Sequence, residues 1–420
     1  MINEKLQCLF LSGAQLNRIA ANFFYQMTAA LAGKKSSLKI LSSYLPAASG
    51  AEKGHFLALD LGGTNVRVLD IDLAGNRQLK LKRKHSFPLK TKNIDYTAHD
   101  CTGEMLFDYI ADELAGFVEP KQTYLLGHTF SFPFSQQRAN EAILSTWTKE
   151  FKTRDVVGYD VTRLLIQALE RRGLVQITPT AVMNDTVATL LAASYQQPYV
   201  TIGSICGTGH NSCYVETKEQ SNVIINLESG NFDGIPGTAW DKLLDSNSAQ
   251  PGAQLLEKQV SGAYLGKLVG LIFDELIRVQ AQGRDHVLST QGVSLTGEDL
   301  SRILSAAQGQ EISKQLLSHG VTLTADDCSL LQSITQAVVV RSARLAAASY
   351  SGILTHVDPN LDAMHCIAID GSLYEKMPGY ANELCQALSE IYGDKSKNII
   401  LKLVKDGSGM GAAVGAALSC

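Results

Sequence analysis

The sequence predicts an α/β protein of two domains that share one ligand cleft. Three observations predict it. The chain has 420 residues, too many for one small core. A strand, a glycine turn and a second strand occur around Gly62 and Gly63, and again around Gly207-Thr208-Gly209, about 145 residues downstream. Around these hairpins, short β-prone runs alternate with segments whose apolar residues recur at helical spacing. Two such hairpins suggest two similar halves facing one ligand, and a cleft between domains is a natural place to hold it.

Taken in order, residues 3–32 carry Leu6, Leu9, Phe10, Ile19, Phe23 and Phe24 at helical spacing, and read as one or two amphipathic helices packed on the larger domain. Residues 34–54, polar and containing Pro46, read as a connector. Residues 56–59 and 66–71 are β-prone runs on either side of Gly62 and Gly63. Glycine lets the backbone approach a ligand closely and leaves N–H groups free to point at phosphate oxygens. Thr64 and Asn65 add short polar donors at the tip, and Arg67 adds a cation. Asp60 ends the first strand at the mouth of the turn, where a carboxylate would repel phosphate unless a cation lay between them. It implies Mg²⁺, held through water.

Residues 78–90 form a basic, solvated strand, residues 105–117 a helix, and residues 124–126 a short strand. That strand runs into a loop, Gly127-His128-Thr129-Phe130-Ser131-Phe132-Pro133, which presents Ser131 to a polyol. Trp147-Thr148-Lys149 sets a hydroxyl beside a cation, suited to an oxygen-rich substrate or to an ordinary surface turn. A helix opens at Asp160. Residues 180–183 are a strand, and Asn184-Asp185-Thr186 opens an apolar helix in which Asp185 is either an N-cap or a reactive acid. After the second hairpin, residues 224–228 read as a strand ending in Glu228, and residues 254–271 as a helix with Glu257 in its early turn. Gly262, Gly266 and Gly270, four apart, suit close helix packing, and residues 281–332 are mixed and partly helical. Residues 334–354 are strongly apolar but contain Arg341 and Arg344, which predicts a buried helix and not a membrane span. Strands over 366–369 and 399–404 run into Asp370-Gly371-Ser372 and Asp406-Gly407-Ser408-Gly409, and an Ala/Gly-rich helix closes the chain.

Composition excludes several classes. The 37 Lys and Arg against 41 Asp and Glu give a net charge of −4 without a long basic run, so nucleic acid and anionic membrane are poor partners. The eight cysteines are scattered without metal-like spacing, as expected for reduced thiols in the cytoplasm. The first residues mix acidic and basic side chains with only a short apolar run and do not read as a signal peptide. The Asn184-Asp185-Thr186 sequon is discounted accordingly.

From residue 56 onward the order of motifs resembles the hexokinase family, glucokinases included. The motifs are Leu-Gly-Gly-Thr-Asn, Phe-Ser-Phe-Pro, Trp-Thr-Lys, Asn-Asp-Thr, Gly-Thr-Gly, Pro-Gly-Ala-Gln-Leu-Leu-Glu-Lys, Asp-Gly-Ser and Asp-Gly-Ser-Gly. The resemblance implies a two-lobed actin-like ATPase (ribonuclease H-like) fold, each lobe a mixed sheet flanked by helices, with the active site in the interlobe cleft. It places the small lobe at 55–190 plus 406–420 and the large lobe at 1–54 plus 191–405. It implies transfer of the γ-phosphate of ATP, with Mg²⁺, to the 6-hydroxyl of a hexose as the first step of glycolysis. Glucose is the foremost acceptor, with fructose and mannose as others. Asp185 matches the family's catalytic base. Ser131, Thr148, Lys149, Asn184, Asn211, Glu228 and Glu257 match its sugar contacts. Asp60, Gly62, Gly63, Thr64 and Asn65 match the first phosphate loop, Thr208 and Gly209 the second, and Gly371, Ser372, Gly407 and Ser408 the nucleotide side.

Three positions depart from the family pattern and leave substrate preference open. His128 stands where an aromatic residue is common, His210 where Thr is frequent, and Ser229 where an aromatic residue follows the sugar-binding Glu. A sugar sensor without turnover would lack the base or a phosphate loop, yet Asp185, Asp60 and Thr208 are present. The repressor-related sugar kinases would add a Cys/His zinc cluster or a DNA-binding domain, and the sequence shows neither. Monomer and homodimer both remain open.

Overall fold

The computed structural model describes residues 5–148, 151–218, 221–280, 294–307, 309–317 and 321–419. The first helix, α1 (Gly13–Leu31), starts on a capping box between Ser12 and Gln15 and buries Leu16, Ile19, Phe23 and Met27. Then come β1 (Leu41–Ser42), β2 (Lys53–Leu61), β3 (Asn65–Gly75), β4 (Gln78–Pro88), α2 (Gly103–Ala115) and β5 (Tyr124–Phe130). A small ribbon of β6 (Phe134–Ser135) and β7 (Ile143–Leu144) leads to α3 (Val161–Arg171), β8 (Ile177–Met183) and α4 (Asp185–Gln196). The second half holds β9 (Val200–Cys206), β10 (His210–Lys218) and β11 (Ser221–Asn226). Six helices follow: α5 (Ala239–Ser246), α6 (Leu255–Val260), α7 (Gly262–Gln280), α8 (Gly297–Ser305), α9 (Gly309–Leu317) and α10 (Ala325–Val357). The chain then runs through β12 (His365–Asp370), α11 (Ser372–Lys376), α12 (Tyr380–Tyr392), β13 (Ile399–Leu403) and α13 (Gly407–Leu418).

The strands form two mixed sheets. One runs β4-β3-β2-β5-β8 and the other β1-β11-β10-β9-β12-β13. In the first, β3 is antiparallel to β2 and β4, while β5 is parallel to β2 and β8. In the second, β10 is antiparallel to β9 and β11, while β12 is parallel to β9 and β13. The repeat suggested by two glycine hairpins therefore extends to five strands in matching order.

Each end of the chain packs on the other half. Helix α1 joins the core around α10 and the six-stranded sheet, with Gly352 of α10 seated directly on Phe23. Helix α13 covers the five-stranded sheet and crosses α4 at backbone distance: a Cβ on Gly411 would lie 1.8 Å from the Ala188 carbonyl oxygen. Helix α10 is buried along most of its length, and Arg341 within it forms a two-armed ion pair with Asp241 at 2.7 and 2.8 Å. Among the described residues, no helix is long and apolar enough to cross a membrane.

Several sequence expectations need correction. The strand at 124 runs on to Phe130, because Gly127 has no side chain to collide with α13, where a Cβ would meet the Ala412 oxygen at 1.9 Å. The strand before Glu228 stops at Asn226, and Glu228 itself adopts a left-handed backbone with φ 49°. The helix over 254–271 is two helices, broken at Ser261, whose ψ is 150° and whose neighbour Gly262 donates its N–H to the Gly207 carbonyl at 2.9 Å. Gly262 and Gly266 do make close approaches, but nothing packs within 4 Å of where a Cβ on Gly270 would sit. The cap of α4 is Asn184, whose Oδ1 accepts the Thr186 N–H at 3.1 Å, and Asp185 is the first helical residue.

Candidate active site

Three adjacent parallel strands of the first sheet deliver polar groups to one edge. Asp60 at the end of β2 stands opposite Thr129 of β5, and Thr129 stands opposite Met183 at the end of β8. Ser131 and the pair Asn184-Asp185 therefore leave the carboxyl ends of neighbouring strands, where open α/β sheets hold their ligands. The tip of the first hairpin, residues 62–64, lies beside them, with Thr64 and Asn65 exposed.

The N-terminus of α13 joins this edge to the second hairpin. Ser408 Oγ donates to Asp60 at 2.9 Å, and the Ser408 carbonyl accepts from Thr129 Oγ1 at 2.7 Å. Asp370, at the end of β12, accepts the Gly407 N–H at 3.0 Å. Gly371 has φ 128°, and a Cβ there would sit 2.4 Å from the Cys206 oxygen, so only glycine allows β12 to end against the second hairpin. Two carbonyls of that hairpin, Gly207 and Thr208, are taken by N–H groups of Gly262 and Ala263 at the start of α7. Thr208, at the tip, is exposed. Gly62, Gly63 and Thr64, with Asn65 opening β3, thus make the first hairpin turn, Thr208 and Gly209 lie in the second, and Gly371, Ser372, Gly407 and Ser408 sit at the starts of α11 and α13.

Charge in this joint is organised by Arg67. Its guanidinium contacts Asp60 and Ser408 with one nitrogen and Asp406 with the other, the latter at 2.6 Å. Burial opposes its charge, but the Asp60 and Asp406 carboxylates outweigh that and hold its pKa above the ordinary value. Burial pushes Asp370 up to about 6, and the nearby Asp185 charge adds to the rise.

On the other side of Asp185 lies a wall of amides and carboxylates. Asn211 Nδ2 donates to Asn226 Oδ1 at 3.0 Å and lies 3.4 Å from Asn184 Oδ1, and Asn226 Nδ2 donates to Glu228 Oε1 at 2.8 Å. The Ser229 N–H donates to Asn211 Oδ1 at 3.0 Å, and the His210 N–H donates to Glu257 Oε2 at 2.9 Å. Glu228 keeps one face open to a cavity of about 200 Å³ that Asn184 and Asn226 also line. Its remaining surroundings desolvate it and push its pKa up to about 7, with the Asn226 donor pulling the other way and Asp185 adding to the rise. Fixed amides beside carboxylates can donate to and accept from a row of hydroxyls.

Aromatic packing sets the rest. Trp147 meets Phe132 edge-on at 4.7 Å and lies 4.9 Å from Phe151, which brings the segment bearing Thr148 against the loop bearing Ser131. Lys149 lies outside the described residues. All three departing positions are buried. His128 hydrogen-bonds Thr162 at 2.9 Å and burial drops it to about 3, while burial drops His210 to about 4, so both stay neutral.

Known proteins share this chain's sequence pattern and overall fold. Hexokinase family signatures match residues 1–195 and 201–418. The chain is 36% identical to Hexokinase-7 of Oryza sativa subsp. japonica over 96% of its own length and 93% of that protein's. The chain belongs to the hexokinase family. Solved hexokinases agree: a crystal structure at 32% identity covers 99% of the chain and 98% of its own, with a TM-score of 0.86. A hexokinase from Schistosoma mansoni complexed with glucose, also 32% identical, covers 100% and 98% with a TM-score of 0.84. This hexose kinase therefore has the two-lobed α/β fold of actin-like ATPases. Asn226 escaped the motif reading altogether, while Asp370 and Asp406 open two of the quoted motifs without having been given a role. Asn226 lies two positions before Glu228, so acids and amides at strand ends and glycine turns were the available signal.

Proposed function

We propose that this hexokinase transfers the γ-phosphate of ATP to the 6-hydroxyl of a hexose, glucose foremost and fructose or mannose as alternatives, as the cytoplasmic first step of glycolysis. One observation carries the reading. Asp185 follows Asn184, which meets the polar wall through Asn211 Nδ2 at 3.4 Å, and both leave the end of β8 beside the strand ends that carry Thr129 and Asp60, which supports a carboxylate set between sugar and phosphates. The glucose complex of the S. mansoni relative supports glucose as the acceptor.

In this reading Asn184, Asn211, Glu228 and Glu257, with Ser131, Thr148 and Lys149, hold the sugar. Asp185 takes the proton of its 6-hydroxyl. An unmatched buried hydrogen-bond partner costs about 1–3 kcal/mol, so a wall this fixed discriminates between hydroxyl patterns. The two hairpins, with Gly371, Ser372, Gly407 and Ser408, hold the nucleotide, and Arg67 neutralises its phosphates. Mg²⁺ typically takes one or two carboxylates together with substrate phosphates, and among the described residues no cluster of three metal-ligating side chains exists. Asp60 fits that donor set as an outer-sphere partner, and the ion would neutralise charge on the donor phosphates. Phosphoryl transfer needs positioning and neutralisation more than covalent help. Closure of a small lobe (55–190 plus 406–420) on a large one (1–54 plus 191–405) would keep water from competing.

The test is ADP release from Mg-ATP with a panel of hexoses, against a no-sugar blank and Asp185→Ala. Sugar-dependent release that the substitution abolishes is expected. Sugar binding without turnover in the unmodified protein, across ATP and other donors, would overturn the proposal and favour a sensor.

A further inference from the structure

The connection between β13 and α13 carries a carboxylate that none of these roles uses. Asp406 sits in a left-handed backbone, φ 53° and ψ 28°, and divides its two oxygens between two cations. Oδ1 accepts from Arg67 Nη1 at 2.6 Å and Oδ2 from Lys84 Nζ at 2.7 Å. Both cations come from neighbouring strands, β3 and β4. The other arm of Arg67, Nη2, contacts Asp60, and Ser408 Oγ does so too at 2.9 Å; both contacts fall on the same Asp60 oxygen, Oδ2. A guanidinium prefers to grip a carboxylate through two parallel N–H bonds. Here that grip is prevented because its second arm is engaged 339 residues further along the chain.

We propose that Asp406 is a positioning residue of the donor site: by holding one arm of Arg67 it keeps Asp60 available to the hydrated Mg²⁺ of the nucleotide. The inference rests on the donor-site reading of Asp60 above. Without the Asp406 carboxylate, Nη1 is released to turn onto Asp60 Oδ1, and an Asp60 gripped through both oxygens is a poor partner for a hydrated cation. Metal-bound nucleotide then binds more weakly. Metal-free nucleotide binds more tightly, because one negative charge has left its approach.

The experiment is calorimetric titration of the intact chain, with saturating glucose, using Mg-ADP and using ADP in chelator. It is run on the unmodified protein, Asp406→Gly and Asp406→Asn. Glycine and asparagine both tolerate the left-handed backbone, so the charge is removed without strain. The preference of the unmodified protein for Mg-ADP over ADP should shrink about five-fold or more in Asp406→Gly, and less in Asp406→Asn, whose amide oxygen still accepts from Nη1. Glucose affinity, read from the fluorescence of Trp147 in the aromatic cluster, should stay unchanged. An unchanged preference in Asp406→Gly overturns the role of Asp406 alone. So does an equal loss for both nucleotide forms accompanied by weaker glucose binding, the mark of a merely structural residue. No nucleotide binding by the unmodified protein would overturn the donor-site reading and this role with it.

Discussion

Removing the Asn226 side chain probes the polar wall at the residue that ties it together. Its amide donates to Glu228 at 2.8 Å and accepts from Asn211 at 3.0 Å. A hydrogen bond to a charged group contributes about 1.5–3 kcal/mol and a neutral one about 0.5–1.5 kcal/mol. If about 2 kcal/mol of the combined loss falls on the sugar complex, Asn226→Ala raises KM for glucose about 30-fold. The same contact fixes the sign of a pH effect. Burial pushes Glu228 up to about 7 and the Asn226 donor restrains the rise, so its loss sends the pKa higher still. Only the ionised carboxylate accepts from sugar hydroxyls through both oxygens. In the unmodified enzyme kcat/KM for glucose should fall as pH drops through about 7, and in Asn226→Ala this acid limb should move to higher pH. Initial rates at varied glucose across the pH range measure both. An acid limb that stays put or moves down, or a loss confined to kcat, refutes the assignment.

Three further outcomes are expected. Glu228 has a folded pKa above its unfolded value, so its contribution to stability is lost as pH rises through about 7. Glu228→Gln should therefore stabilise the fold at pH 8 by roughly 1–2 kcal/mol, with no gain near pH 4, while abolishing glucose binding; thermal melts at both values with and without glucose check this. Gly411→Ala drives a methyl into the Ala188 carbonyl and should cost about 3 kcal/mol or more, read as a lower denaturant midpoint. Arg341→Met leaves the buried Asp241 without its cation and should cost about 3–5 kcal/mol, whereas adding Asp241→Asn, which removes the stranded charge and keeps an oxygen for the Thr238 cap, should recover part of it.

Much of the fold was legible because it is written locally. Glycines between β-prone runs mark both hairpins, and the two arginines of α10 separate a buried helix from a membrane span. What escaped depends on contacts between distant segments. Strand β5 passes through Gly127 only because α13, far along the chain, packs there. The break at Ser261 exists because Gly262 reaches a carbonyl of the second hairpin. In the candidate site, Asn184, Asn211 and Glu228 were named from the family resemblance, and the structure links Asn211 to Glu228 through Asn226. That residue belongs to no motif and gains its contacts only when β10 and β11 pair, which sets Cys213 opposite it. The Arg67–Asp406 pair was likewise invisible, since nothing near either residue announces the other.

The exchange of terminal helices has a consequence for synthesis on the ribosome. Strands β2 to β8 emerge early, but the face that α13 covers stays bare until α13 has been made. Helix α1 emerges ahead of both sheets and waits for α10, more than 300 residues later. Neither half can finish its own core early, so the chain should acquire protease resistance in one late step. Fragments cut between α4 and β9 should gain structure only when mixed.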